Sequence, residues 1–161
     1  MTIEKLSELN NEQKIQVCAL WNNEYPEKLA FESVENFEKY LSNLTNLTHY
    51  LLFDSQNLSG WALTFEREKE KWFAIIISEN NHGKGLGKQM LSELKKDNEI
   101  LNGWVIDHNN DKKLNGNNYK SPIEFYQKNN FNIINEVRLE LDTISAVKIN
   151  WTKKSENSGC R

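Results

Sequence analysis

The chain has 161 residues and a mass of 18.9 kDa, which is about the length of one domain. Hydrophobic residues make up 38% of it and charged residues 27%, a composition typical of globular proteins without a membrane span. The net charge of −3 disfavours nucleic acid as the main partner, because phosphate binding requires a basic surface.

Cysteine usage and the N-terminal segment predict the compartment. Cys18 and Cys160 are too few for a disulfide framework and predict free thiols in a reducing environment. Residues 1–11 lack the apolar run of a signal peptide or a membrane anchor. We therefore expect a cytoplasmic protein with no membrane partner. Its three histidines and two cysteines are widely spaced, so no metal site is expected.

The first half of the chain predicts two helices and then a hairpin. Apolar residues at helical spacing define the helices: Ile15, Cys18, Ala19 and Trp21 in the first, and Val34, Phe37, Leu41 and Leu44 in the second. Ser33 is placed to cap the second helix. The apolar run 50–53 and the alternating run 61–65, joined by a turn at 54–57, predict two strands with one buried face.

The next part of the chain alternates strands and helices. Residues 72–77 are apolar on both faces, which is typical of a strand at the centre of a sheet, and 104–106 predict another interior strand. The helix between them carries its apolar residues on one side, at Leu86, Met90, Leu91 and Leu94. The polar stretch 107–120 is long for a connection and predicts a functional or mobile loop.

A last helix and two strands complete the predicted domain. Ser121 is placed as a helix cap, Pro122 at the first helical position and Glu124 as the capping-box partner. Asn129–Asn130 can end this helix, and strands follow at about 131–140 and 144–151. The prediction is one mixed α/β domain over residues 1–152, with a polar, flexible tail at 153–161.

A glycine-rich turn between the strand 72–77 and the next helix predicts a phosphate site. Backbone N–H groups at a helix start lack internal partners, and the helix dipole adds positive potential there. Glycines at three of five positions let a pyrophosphate approach the backbone closely. The residues expected to bind it are His82, Gly83, Lys84, Gly85, Leu86, Gly87 and Lys88.

Two common phosphate motifs do not fit this turn. A Walker loop ending at Gly87-Lys88 would need Gly in place of His82 and Ser or Thr in place of Gln89. The dinucleotide pattern would need Gly in place of Lys88 or Met90. A nucleotide-phosphate binding module is therefore the weaker alternative, which binding of ATP or NAD would revive.

The turn does fit the coenzyme A loop Arg/Gln-x-x-Gly-x-Gly/Ala, with Gly85 and Gly87 at the small positions and His82 at the Arg/Gln position. A second motif, Leu/Phe-Tyr-x-Lys-x-Gly-Phe, matches residues 125–131, with Asn130 in place of Gly. On these two motifs the chain resembles the GNAT-type N-acetyltransferases over about its whole length. It departs from them at His82, which makes pyrophosphate binding weaker or pH-dependent, and at Tyr119 and Pro122, where the family has Asn and Ala.

The resemblance implies a fold and a cofactor. The fold is a mixed central sheet of about six to seven strands, flanked by about four helices and splayed between the fourth and fifth strands. Acetyl-CoA is the acetyl donor and no metal takes part. Its pantetheine arm and thioester would contact Ile75, Ile76 and Ile77, with backbone N–H groups around Ile76 and Ile77 holding the carbonyl.

The resemblance also implies a reaction, in which a primary amine attacks the thioester directly. Tyr126 would protonate the departing thiolate, since an unperturbed phenol pKa near 10 suits that task. Asp107 and His108 are the leading candidates for the base, because they follow the fifth strand, and Glu24, Glu66 and Glu79 are the others. The acceptor is a small-molecule, peptide or protein amine, selected by the loop 107–120 and the first two helices. A homodimer is compatible with the resemblance.

Simpler readings remain for each residue. Tyr126 could only pack its ring, and His108 could be a surface residue. Trp21 and Tyr25 could line an acceptor pocket, although Trp21 at helical spacing fits a core position better. The departures at His82 and Asn130 keep open a second function, a catalytically weak acyl-CoA-binding or sensing domain on the same fold.

Overall fold

The computed structural model describes residues 1–154 and shows a seven-stranded mixed sheet flanked by four α-helices, as predicted. The strands are β1 (Thr2–Leu6), β2 (Thr45–Asp54), β3 (Asn57–Arg67), β4 (Glu70–Ile77), β5 (Ile100–Val105), β6 (Asn132–Leu141) and β7 (Ile144–Thr152). The helices are α1 (Asn11–Glu24), α2 (Val34–Ser42), α3 (Leu86–Asp97) and α4 (Ile123–Lys128), with short 3-10 helices at Glu27–Leu29 and Glu79–Asn81. Cys160 and most of the predicted tail lie outside the described residues, so the domain end at 152 stays a prediction.

The strand order is β1-β2-β3-β4-β5-β7-β6, and the sheet divides between β4 and β5. Those two strands are parallel and every other neighbouring pair is antiparallel. They are paired at one register position, Trp72 with Asn102. Beyond it they separate toward the carboxyl end of β4, which confirms the predicted splay.

The strand β1 was not predicted. It pairs with β2 along its whole length at the edge of the sheet. Within it, Ile3 and Leu6 are half-buried and the other three residues are exposed. Two partly buried residues in five give too weak an alternation to distinguish this strand from a polar terminus.

Helix α1 buries Cys18 and Trp21, as predicted, but not Ile15 and Ala19. Ile15 is 57% exposed and Ala19 is also exposed, whereas Val17, Cys18, Leu20 and Trp21 are buried. The N-cap is Asn10, whose side chain accepts a hydrogen bond from Gln13 N at 2.8 Å while Gln13 Oε1 accepts from Asn10 N at 2.9 Å. This reciprocal cap sets where the helix begins.

Helix α2 and the β2–β3 hairpin form near the expected positions, with two corrections, to their bounds and to the faces of the hairpin. Helix α2 ends at Ser42, so Leu44 lies outside it, and β2 begins at Thr45, five residues before the predicted apolar run. Ser33 Oγ accepts a hydrogen bond from Asn36 N at 3.2 Å, which confirms the predicted cap, and Phe37 and Leu41 are buried. The hairpin does not have one buried face. Every residue from Ser59 to Phe65 is buried, because α1 and α2 cover one face of β3 and α3 covers the other.

Two apolar cores therefore lie on opposite faces of the sheet. The α1 and α2 side includes Trp21, Phe37 and Trp61. The α3 and α4 side contains the four predicted α3 residues, Leu86, Met90, Leu91 and Leu94, all buried. Among residues 1–154, none of the helices is both long and apolar enough to cross a membrane.

Helix α4 begins one residue later than predicted. Pro122 is the N-cap residue rather than the first helical residue. Ser121 Oγ donates to the carbonyl oxygen of Ile106 and accepts from Ile123 N at 3.3 Å, so it joins α4 to the end of β5. At the other end Asn130 has φ 71° and Phe131 N donates to Tyr126 O at 3.0 Å, as expected for an asparagine that ends a helix.

Candidate active site

The carboxyl end of β4 presents unpaired backbone toward the splay. Ser78 N donates to Ser59 O at 2.8 Å, which makes 59 and 78 a hydrogen-bonded pair of the β3–β4 ladder. Because such pairs alternate in an antiparallel ladder, Ile76 bonds to Trp61 on β3, whereas the N–H groups of Ile75 and Ile77 point toward β5. The end of β5 has diverged, so Ile77 N–H is placed to bind a carbonyl oxygen. Of the two predicted donors, Ile76 N–H is therefore used within the β3–β4 ladder, and Ile77 N–H is the one that remains available.

The glycine-rich loop follows directly and exposes backbone N–H groups. Gly83 and Gly85 have φ of 78° and 76°, a conformation that strains any L side chain, and both are exposed. Gly85 is the N-cap of α3 and has no side-chain cap. The amides of Leu86, Gly87 and Lys88 therefore lack helical partners.

The charge around this helix start is positive. The first turn of α3 contains no acidic residue, and the ammonium-bearing Lys84 and Lys88 are exposed. Together with the helix dipole, these groups make the loop suited to an anion.

Gly87 is small for a different reason. A Cβ at this position would lie 3.1 Å from Cζ of Phe125 on α4. The phenyl ring lies against the α3 backbone and leaves little room for a side chain. This contact joins the glycine-rich loop to the helix that carries Tyr126.

His82 is engaged by the protein itself. Its Nε2 donates to the carbonyl oxygen of Ile77 at 2.8 Å. The imidazole therefore closes the loop onto the last residue of β4, although the residue is exposed.

Tyr126 lies in the core beneath the splay. It is 6% exposed, and its ring makes edge-on contacts with Phe73 and Phe131 at centroid distances of 5.8 and 5.3 Å. Its hydroxyl forms no hydrogen bond within residues 1–154. Burial, and secondly the neighbouring Tyr119, raise the pKa of Tyr126 well above its ordinary value. The phenol therefore stays protonated at neutral pH and can donate a proton or a hydrogen bond.

Two further tyrosines lie near Tyr126, and the sequence did not indicate this grouping. The rings of Tyr25 and Tyr119 are 6.4 Å apart. Burial raises the pKa of Tyr25, and the hydroxyls of Tyr119, Tyr126 and Tyr40 raise it further, as expected for buried phenols that lie near one another. We call Tyr25, Tyr119 and Tyr126 the tyrosine group. Two separate signals in the sequence concerned its members, Tyr25 as a candidate for an acceptor pocket and Tyr119 at a position where the GNAT pattern has Asn, but nothing placed the two together.

The two predicted bases are both held by other groups. Asp107 accepts two hydrogen bonds from Arg138, at 2.8 and 3.0 Å, and this ion pair holds the pKa of the Asp107 carboxyl below its ordinary value. His108 Nδ1 accepts from Asn110 N at 3.1 Å, and its Nε2 lies 3.9 Å from Asp111 Oδ2. Sequence reasoning could not pair Asp107 with Arg138, which comes from β6 after a register shift between Ile134 and Arg138.

The three other candidate bases, all glutamates, lie in two separate parts of the structure. Glu66 lies opposite Lys71, at the end of the β3–β4 pair that is remote from Ile77. Glu24 and Glu79 come together, since Glu79 N donates to Glu24 Oε2 at 3.1 Å.

The loop 107–120 is tied down by hydrogen bonds at several points. Glu27 N donates to Lys112 O at 2.8 Å, Tyr119 N donates to Asp111 O at 2.9 Å, and Ser121 N donates to Asn109 Oδ1 at 2.7 Å. The loop is therefore ordered by its own hydrogen bonds and is joined at Lys112 to the segment that follows α1. Residues 1–154 contain no group of three or more His, Cys, Asp or Glu side chains placed to bind a metal.

Several solved structures have the same fold as this chain. An aminoglycoside 6'-N-acetyltransferase in complex with coenzyme A superposes with a TM-score of 0.72 and 15% identity, over 97% of this chain and 99% of that one. Ribosomal-protein-alanine N-acetyltransferase from Brucella melitensis gives 0.67 and 13%, over 94% and 99%. Escherichia coli ElaA gives 0.66 and 16%, over 96% and 100%.

This chain has the GNAT fold. No protein-family model matches it, and no curated protein matches it by sequence. The GNAT fold thus agrees with the resemblance drawn from the two motifs.

Proposed function

We propose that the protein is an acetyl-CoA-dependent N-acetyltransferase that acts on a primary amine of a small molecule, a peptide or a protein. The observation that carries the proposal is the splay between β4 and β5, with Ile77 N–H facing it and the glycine-rich loop directly behind it. Two of the solved relatives are named as N-acetyltransferases, and one was determined with coenzyme A.

The residues present fit acetyl-CoA. The free amides at the start of α3 and the side chains of Lys84 and Lys88 offer donors and positive charge for a pyrophosphate. A Cβ at Gly83 or Gly85 would meet no atom within 4 Å, so the space over the loop is open to a ligand. When bound, acetyl-CoA supplies an acetyl group activated as a thioester. Ile75, Ile76 and Ile77 would line its arm, and Ile77 N–H would bind the carbonyl oxygen.

Each catalytic residue then has a defined task. Ile77 N–H stabilises negative charge on the carbonyl oxygen. The Tyr126 hydroxyl, which burial keeps protonated, donates a hydrogen bond to the sulfur that leaves and gives up its proton as the thiolate forms. Its raised pKa makes it a weaker acid than the unperturbed phenol expected from the sequence. Neither predicted base is free for the amine proton, because the Arg138 ion pair makes Asp107 a weaker base and His108 Nδ1 already accepts from Asn110 N. We favour His108, which could take the proton once it releases the Asn110 amide.

A second candidate function is an acyl-CoA-binding or sensing domain without appreciable turnover. It is favoured by His82, which stands where relatives have Arg or Gln and whose ring is engaged by Ile77 O.

Calorimetric titration with acetyl-CoA, with ATP and NAD as controls, tests the cofactor, and thiol release with a panel of amines tests the reaction. We expect acetyl-CoA to bind in the micromolar range and both controls to fail. Tyr126→Phe should bind acetyl-CoA as well as the wild type does and lose turnover by about 10²-fold or more. Binding without turnover of any amine would favour the sensing domain, and binding of ATP or NAD instead would refute both functions.

A further inference from the structure

Lys113 is a buried cation in a loop whose next residues, 114–118, are all exposed. It is 7% exposed, and its Nζ lies 3.1 Å from Glu79 Oε2 and 3.3 Å from Glu24 Oε1. Burial alone would lower its pKa, but the two carboxylates outweigh burial and hold the pKa of Lys113 above its ordinary value. The ammonium is therefore charged, and we call Glu24, Glu79 and Lys113 the Lys113 cluster.

The cluster joins three segments that are far apart in the chain. Glu24 is the last residue of α1, Glu79 follows β4, and Lys113 belongs to the loop 107–120. Backbone contacts reinforce the junction, since Glu79 N donates to Glu24 Oε2 and Glu27 N donates to Lys112 O. A buried charge with two partners in separate segments is costly to leave unpaired, so the three segments are held in one arrangement.

Each member of the cluster is adjacent to a part of the candidate site. Glu24 precedes Tyr25, and Lys113 lies six residues before Tyr119, whose ring contacts that of Tyr25. Glu79 lies two residues after Ile77, and its carbonyl oxygen accepts from His82 N at 3.1 Å. The cluster thus links Tyr25 and Tyr119 to the end of β4 that would bind the acyl group.

We propose that Lys113 is a positioning residue for acetyl transfer, which fixes the loop 107–120 and the tyrosine group relative to the carboxyl end of β4. The inference rests on the proposed function. Lys113 acts through its two carboxylates and touches no reacting atom. It therefore governs how the amine is placed more than how acetyl-CoA is bound, because Lys113 lies in the loop 107–120 and, within residues 1–154, the cluster is hydrogen-bonded to the glycine-rich loop only through the backbone, from His82 N to Glu79 O.

Kinetics of Lys113→Met test this placement, with Lys112→Met as the matched control. Lys112 is the preceding residue and carries the same charge, but it is exposed and its Nζ bonds to Asn118. We expect Lys113→Met to lower kcat/KM for the amine about tenfold or more, since small misplacements are costly, and to leave the Kd for acetyl-CoA within about twofold. Lys113→Arg should recover most of the loss, and Lys112→Met should behave as the wild type does.

Equal losses in amine kcat/KM and in acetyl-CoA affinity would overturn the proposal, since they would indicate a general structural defect. So would a Lys113→Met protein with unchanged amine kinetics. If Lys113→Met does not fold, Lys113→Gln keeps a hydrogen-bond donor for the two carboxylates and removes the charge, and the same split between the two constants is expected.

Hydrogen exchange separates a failure of this inference from a failure of the proposed function. In Lys113→Met, the amides of Glu27 and Glu79 should exchange faster than in the wild type, whether or not any amine is turned over, and Lys112→Met should leave both unchanged. If the wild type turns over no amine but Lys113→Met still shows faster exchange at these amides, the acetyltransferase is refuted and the linkage of the three segments is retained. Unchanged exchange at both amides refutes the linkage.

Discussion

His49 is a buried histidine whose titration should make the stability of the protein depend on pH. It is 2% exposed on β2, and its Nδ1 accepts a hydrogen bond from Trp61 Nε1 at 3.0 Å. Nδ1 therefore carries no proton, and the imidazole is uncharged. Burial lowers the pKa of His49 from 6.5 to about 4. Between these two values the unfolded chain binds a proton that the folded chain excludes, so the free energy of unfolding falls as the pH is lowered.

The expected loss follows from the difference between the two pKa values. Over the whole window it amounts to about 3 kcal/mol, of which about 2 kcal/mol is lost between pH 7.5 and pH 5. The full contribution is present above about pH 6.5, and it falls no further once the pH is below about 4. A loss of this size is a large part of the stability of a typical domain.

Urea unfolding at several pH values measures this loss, with His49→Gln as the control. The variant keeps a hydrogen-bond acceptor for Trp61 Nε1 and removes the titration, so its stability should change much less between pH 7.5 and pH 5. The carboxylates with lowered pKa values, such as Asp97 and Asp107, titrate below that range. The same slope in the wild type and in His49→Gln would refute the assignment of the pH dependence to His49.

Three further substitutions have defined outcomes. Gly85→Ala forces an L side chain to φ 76° and should lower the free energy of unfolding by about 1 kcal/mol, measured by urea unfolding, and weaken acetyl-CoA binding, measured by calorimetry. Ser33→Ala removes the α2 cap and should cost about 1 kcal/mol in the same unfolding assay, with no change in acetyl-CoA affinity. Arg138→Met should raise the pKa of Asp107, followed by NMR of its carboxyl carbon, and an unchanged titration would contradict the ion pair.

The sequence predicted those parts of the fold that have a strong local pattern. Neighbouring residues were enough to recognise three features: the strand β4 with apolar residues on both faces, the four buried residues of α3, and the Asn130 cap. The strand β1 and the full buried face of α1 could not be recognised in this way, because each depends on the element that packs against it. Ile15 has the spacing of a core residue but lies on the face of α1 turned away from the sheet.

The candidate site was predictable for similar reasons and only in part. The glycine-rich loop and Tyr126 belong to short motifs, so their placement followed from the chain order. The ion pair of Asp107 with Arg138 and the Lys113 cluster join residues from different elements. Spacing along the chain carries no signal for such pairs, and the structure was needed to find them.

The two motifs also prove to be one packing unit. The backbone angle of Gly85 favours glycine, whereas Gly87 must be small because Phe125 occupies the space beside it. The Phe125 ring that fills the space at Gly87 also makes an edge-on contact with the Tyr126 ring, at a centroid distance of 5.1 Å. A larger side chain at Gly87 should therefore displace α4 and lower turnover through Tyr126, while Gly85→Ala should act mainly on acetyl-CoA binding. Comparing the acetyl-CoA Kd and kcat of Gly87→Val and Gly85→Ala tests this division, and a loss confined to Kd in both variants would contradict it.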